Sequence, residues 1–161
     1  MSVAVVRWWR EEDLPRVAEL SLSLQRMHAV ALPERFLEPD LPTSQKLFES
    51  QYVDPDSVGF VATVGSHVAG YLFARRVHHD ADGFTRGATA LHVHHLVVMD
   101  EAQGAGIGTA LMRSAIEHAN SAGLDTITLQ TWRFNEDARA FFDHLGFEVE
   151  SMRLSRPSGQ A

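Results

Sequence analysis

Residues 91–122, LHVHHLVVMDEAQGAGIGTALMRSAIEHANSA, set a glycine-spaced turn between an apolar run and a helical repeat. Leu91 to Val98 is rich in apolar and β-branched residues and suits a buried strand. Met99 to Ala102 is a connector of ordinary length. Gly104, Gly106 and Gly108 then alternate with Ala105 and Ile107, and from Ile107 onward Leu111, Ala115 and Ala119 recur every four residues, one face of a helix. The first turn of a helix leaves N–H groups without partners at the positive end of the aligned peptide dipoles. Glycines without a Cβ let an anion come close to those groups. Gln103, Gly104, Ala105, Gly106, Ile107, Gly108 and Thr109 therefore read as a pyrophosphate cradle, although the glycines alone also fit a tight turn that binds nothing. Two other phosphate loops are excluded. A dinucleotide fingerprint needs glycine where Thr109 or Leu111 stands, and a P-loop needs a lysine that the stretch lacks.

At 161 residues the chain is expected to form a single domain, 1–161, with 155–161 as a frayed tail. No apolar run approaches the ~18 residues of a membrane span, and Arg7-Trp8-Trp9-Arg10 followed by acids does not resemble a secretion signal. The chain has no cysteine, which removes disulfides, thiolate metal sites and a cysteine nucleophile and fits a cytoplasmic location. A net charge of −7 argues against nucleic-acid binding and leans toward cationic partners such as amines.

Around the central stretch, Val3 to Trp9 reads as a strand. Glu11 to Asp13 with Pro15 opens a helix carrying Val17, Leu20, Leu24 and Met27 on one face. Ala29 to Pro42 reads as loop, and Thr43 or Ser44 caps a short helix with Leu47, Phe48 and Tyr52. Val58–Val64 and Val68–Val77 form a hairpin about Gly65-Ser66-His67, with a bulge suggested at Gly70. Thr126 to Thr131 reads as a strand. Asn135 caps a helix with Ala138, Phe141, Phe142 and Leu145 on one face, which Gly146 closes. Phe147 to Leu154 reads as a last strand.

Gln103-x-x-Gly106-x-Gly108 after Leu96-Val97-Val98 resembles the acetyl-CoA signature of the GNAT superfamily of acetyltransferases. Asn135, Ala138, Phe141, Phe142 and Leu145-Gly146-Phe147 resemble that superfamily's second block, in the expected order. The resemblance implies an α/β (α+β) GNAT fold. Its mixed, mostly antiparallel central sheet would have about six to seven strands, flanked by about four helices and splayed in the middle. It also implies an N-acetyltransferase with acetyl-CoA as co-substrate and a primary amine, on a small molecule or a protein, as acceptor. Transfer would be direct, in a ternary complex. Leu96, Val97 and Val98 would hold the acetyl and pantetheine end, and Asn135 would contact the pantetheine arm. His28, Phe36 and Phe48 would lie on the acceptor side. A homodimer is compatible with the resemblance.

The chemistry needs a base for the protonated amine, donors for the oxyanion, and a proton source for the departing thiolate. His92, His94 and His95 are polar anomalies in an apolar strand, and alternation puts His92 and His94 on one face and His95 on the other. His94 aligns with a position where relatives carry an acidic base, and imidazole titrates near pH ~6.5. A hydrogen-bonded core histidine is the competing role. Gln130 stands at another base position of relatives and cannot serve. His92-x-His94 also has a zinc-like spacing, with His78, His79, Asp80 or Asp82 nearby, but no third ligand is placed, so no metal is expected. Phe142 stands where many relatives have a tyrosine acid, and a phenyl ring has no proton to give. That departure leaves a non-catalytic acyl-CoA-binding module as the alternative function.

Overall fold

The alternating runs on either side of Gly65-Ser66 form the expected hairpin, with Gly65 at φ +60° in a two-residue turn, and the sheet extends from it on both sides. The computed structural model describes residues 3–159, in two compact units that divide after Gln130. In the first unit five strands lie in the order β1 (Val5–Trp8), β2 (Ser57–Val64), β3 (His67–His79), β4 (Ala88–Val98) and β5 (Thr126–Leu129). β1 to β4 are antiparallel, and β4 runs parallel to β5.

Two layers of helix cover the sheet because both of its faces are apolar. Tyr71 and Phe73 of β3, Val61 of β2 and Val97 of β4 pack with Trp9, Val17 of α1 (Leu14–Ala31) and Phe48 of α2 (Leu41–Tyr52). The other face carries Leu72 and Leu91 and meets α3 (Ile107–Ser121), whose Leu111, Met112 and Ala115 have no exposed surface. Burial of each such side chain contributes about 1.5–3 kcal/mol. Gly70 lies where β4 and α3 come close to β3, since a Cβ there would sit 2.8 Å from the Val97 carbonyl and 3.3 Å from Ile107 Cγ2. The entry to α1 is tied to β1 by Asp13, which accepts from Arg7 at 2.7 and 2.9 Å and from the Arg10 N–H at 2.7 Å. Burial raises the Asp13 carboxyl, and these donors outweigh it, so its pKa lies below the usual value.

Two residues of the sheet have no cross-strand partner. Ala62 pairs with Gly70 and Thr63 with Val68, so the bulge expected at Gly70 falls on Ala69. Phe73 pairs with His95 and Ala74 with Val93, so His94 is an extra residue in β4.

α2 starts earlier than its sequence suggests. Asp40, not Thr43 or Ser44, is the cap and accepts from the Thr43 N–H at 2.9 Å, and Pro42 sits in the first turn, where its missing N–H costs nothing.

In the second unit α4 (Glu136–His144) is capped as expected, Asn135 Oδ1 accepting from the Ala138 N–H at 3.2 Å. Its end is a Schellman turn. Gly146 adopts φ +86°, its N–H reaches the Asp143 carbonyl at 2.9 Å, and the Phe147 N–H reaches the Phe142 carbonyl at 3.0 Å. The strand expected over Phe147 to Leu154 is absent, so the described sheet has five strands and not six to seven. Alternation supplies two faces, but a strand exists only where a ladder partner does, and Val149, Met152 and Leu154 are exposed. Residues 155–159 are exposed and in no helix or strand, and 160–161 of the expected tail lie outside the described residues.

Candidate acyl-transfer site

Gly106 caps α3 at φ +78° and Gly104 lies at φ +77°, a backbone region that L side chains rarely adopt. The first intrahelical bond is Ala110 N–H to the Gly106 carbonyl at 3.0 Å, and no side chain caps the helix. The N–H groups of Ile107, Gly108 and Thr109 thus have no acceptor within the helix. A Cβ at Gly104 or Gly106 would meet nothing within 4 Å, and Gln103 to Gly106 are exposed, so the approach to those donors is open. The Gln103 side-chain amide donates to the Val98 carbonyl at 3.3 Å and to Asp100 Oδ1 at 3.0 Å, fastening the connector to the end of β4. The donors, the positive helix end and the open approach all fit a pyrophosphate.

β4 pairs with β5 only from Ala90 to Val93. From His95 to Val98, including Leu96 and Val97, it keeps its ladder to β3 on one edge, and from His94 onward it has no strand on the other among the described residues. This is the expected splay, and it leaves the outer-edge backbone donors and acceptors of β4 without a ladder partner among the described strands, on a strand that runs toward the α3 turn.

The bulge changes where the histidines point. Strict alternation would put His95 opposite His92 and His94, but an extra residue resets the period. All three rings lie on the side of α1 and α2. His94 stacks on Phe73 with centroids 5.3 Å apart, His95 stands 5.7 Å from the same ring and 5.8 Å from Phe48, and His92 meets His94 at 4.8 Å. His92 Nδ1 lies 2.9 Å from Thr128 Oγ1 on β5, and His95 Nδ1 lies 3.0 Å from the Tyr71 hydroxyl on β3. Burial lowers the pKa of each ring. Neighbouring His92 and Arg75 lower His94 further, and His95 falls to about 4. His94 is exposed and neutral near pH 7, which leaves its lone pair free to take a proton. The His28 and Phe36 rings meet at a tilt with centroids 4.9 Å apart, and burial also lowers the pKa of His28. His78 pairs with Asp80 at 2.9 Å, and no group of three His, Asp or Glu residues among those described is placed to hold a metal.

In the second unit Asn135 is engaged as the cap of α4, and the Phe142 ring packs edge-on against Phe147 at 5.7 Å, the apolar contact of the Schellman turn. Tyr71 is the site residue that sequence reasoning passed over. It is distant from the motifs along the chain, and the β3–β4 register brings it opposite Val97, two residues from His95.

The model of the Acetyltransferase (GNAT) family matches residues 22–147. The chain belongs to the GNAT acetyltransferase family. This GNAT chain is 32% identical to the mycothiol acetyltransferase of Nocardiopsis dassonvillei over 61% of its own length and 29% of the relative's. Its matches thus span under a third of the curated relatives' length. Its fold superposes on the BH1408 protein of Bacillus halodurans, in a tetramutant form, with a TM-score of 0.90 at 19% identity, covering 95% of this chain and 99% of that one. It superposes on AAC(6')-Iy, solved with the bisubstrate analogue CoA-S-monomethyl-acetylneamine, with a TM-score of 0.77 at 16% identity, covering 98% and 99%. At such identities these likenesses establish the fold.

Proposed function

We propose that this protein is an N-acetyltransferase that moves an acetyl group from acetyl-CoA to a primary amine by direct attack in a ternary complex. The observation that carries the reading is the open N–H cradle of α3 at the end of a strand whose outer edge is unpaired from His94 to Val98. Ile107, Gly108 and Thr109 would donate to the pyrophosphate, and the edge of Leu96 to Val98 would align the acetyl-pantetheine end. Asn135 is assigned to the pantetheine arm on its motif position. His94 removes a proton from the acceptor ammonium, the amine lone pair forms the new C–N bond to the thioester carbonyl carbon, and the C–S bond breaks. The thiolate takes its proton from water or from the newly formed ammonium, because Phe142 has none. The reading includes a cytoplasmic setting and leaves room for a homodimer.

Phe142 favours one second reading, an acyl-CoA-binding module without turnover. An assay of thiol release from acetyl-CoA across an amine panel separates the two. The panel should include neamine, whose acetylated form is part of the analogue bound in the AAC(6')-Iy structure. Amine-dependent release is expected. Calorimetric binding of acetyl-CoA without release by any amine supports the module, and absence of binding overturns both.

A further inference from the structure

One nitrogen sets His95 apart from an ordinary core histidine. Its ring sits in an aromatic cage of Phe48, Phe73 and Tyr71, yet its Nε2 has no hydrogen bond to another residue. Among the described residues the one buried side-chain nitrogen or oxygen without a partner is His118 Nε2. His95 Nε2 is therefore unpaired and keeps some exposed surface, although the ring as a whole is largely buried.

The proton on that nitrogen can be assigned. Tyr71 has no exposed surface, and burial raises its pKa well above the ordinary value, so the phenol is protonated. Its hydrogen-bond partner is His95 Nδ1 at 3.0 Å. The Ser21 hydroxyl, which donates to the Ala18 carbonyl at 2.7 Å, is the other polar group near the phenol and keeps lone pairs to accept with, but it does not approach Tyr71 as closely as His95 Nδ1 does. If Nδ1 carried the hydrogen, the buried phenol proton would be left to the more distant Ser21 oxygen alone. Tyr71 thus donates to Nδ1, and the hydrogen of the neutral imidazole sits on Nε2. With the His95 pKa near 4, the ring stays a neutral donor at the pH of any ordinary assay.

A fixed N–H donor repels an ammonium and donates to an oxygen. His95 follows His94 in sequence, and the bulge turns both rings to the same side, each against Phe73. A group bound at His95 is therefore a few bonds from one that gives its proton to His94. We infer that His95 Nε2–H, held in place by Tyr71, recognises an oxygen of the acceptor a few bonds from the reacting nitrogen, so that amines bearing an oxygen are preferred to plain alkylamines. This rests on the acyl-transfer reading, with the acceptor on the side of α1 and α2. Tyr71 acts as a positioning residue.

Two measurements test it. In the full-length protein labelled with ¹⁵N-histidine, the His95 long-range correlations should show hydrogen on Nε2 and a bare Nδ1, and Tyr71→Phe should give a mixture. Hydrogen on Nδ1 in the wild-type protein overturns the inference whether or not any amine turns over. The second measurement compares kcat/KM for 2-aminoethanol and ethylamine. The wild type should prefer 2-aminoethanol about tenfold, in line with one hydrogen bond. His95→Leu should abolish the preference with acetyl-CoA binding unchanged, Tyr71→Phe should reduce it, and His95→Gln, which keeps an N–H donor, should restore part of it. Equal use of the two amines by the wild type, or an undiminished preference in a folded His95→Leu, overturns the inference. If neither amine is acetylated, nor any other in the panel, the acyl-transfer reading fails. The donor is then read from the Nε2–H resonance on saturation with 2-aminoethanol, and no shift there overturns it too.

Discussion

Acid should destabilise this protein through His95 before most carboxylates begin to titrate. The ring has an ordinary pKa of 6.5 when unfolded and about 4 when folded, because burial and the facing His94 and His28 oppose its charge. The folded-state value is the lower one, so the unfolded chain binds the proton more readily. The stability contribution is complete above pH ~6.5 and is lost as pH falls toward about 4. At about 1.4 kcal/mol per pH unit, the gap is worth about 3 kcal/mol, a large part of the ~5–15 kcal/mol that holds a typical domain folded. Urea unfolding followed by tryptophan fluorescence at pH ~7.5 and ~4.5 measures the loss. His28, His92, His94 and His118 are also lowered by burial and add to the wild-type slope, so the quantity of interest is the difference between wild type and His95→Gln. The variant should lose about 2–3 kcal/mol less stability over that interval. Parallel losses would show that His95 titrates as in the unfolded chain, and the buried cage described above would be wrong.

Other changes probe the remaining parts. Gly106→Val sets a branched side chain at φ +78° beside the open N–H groups. It should weaken acetyl-CoA at least tenfold, ~1.4 kcal/mol by calorimetry, and unchanged affinity in a folded variant would remove the cradle. His94→Ala should lower kcat and delete a limb of the pH–rate profile while acetyl-CoA affinity stays near wild type; a superimposable profile would refute the base role. For Phe142→Tyr the expectation is faster amine-saturated turnover if the new hydroxyl reaches the sulfur. A loss of ~1–3 kcal/mol in a thermal melt without a gain in rate would instead mean that the hydroxyl is buried unpaired. Gly59→Ala would place a Cβ 2.0 Å from the Trp9 ring, and a loss of about 1–3 kcal/mol is expected; wild-type stability in denaturant would contradict the packing of Trp9 over β2.

The α3 turn, the Asn135 cap and the Gly146 stop were legible in the sequence because each is decided within a few residues by backbone chemistry: bare N–H groups, a side chain that mimics a carbonyl, a glycine that tolerates positive φ. The hairpin and the α1 face were legible for a related reason, since a period of two or of 3.6 is a local property. Three features were settled at longer range. The last strand failed because a ladder requires a partner, and alternation over Phe147 to Leu154 carries no information about one. The histidines were assigned to the wrong faces because a bulge is a mismatch between two strands: His94 becomes the extra residue only when β3 pairs Phe73 with His95 and Ala74 with Val93. Tyr71 entered the site by the same register, more than twenty residues from His95 in the chain and 3.0 Å from its ring nitrogen in the fold. The residue types of the proposed acyl-CoA cradle and base are written in order along residues 91–109, whereas the faces they point to and the charge they carry depend on which strand lies alongside.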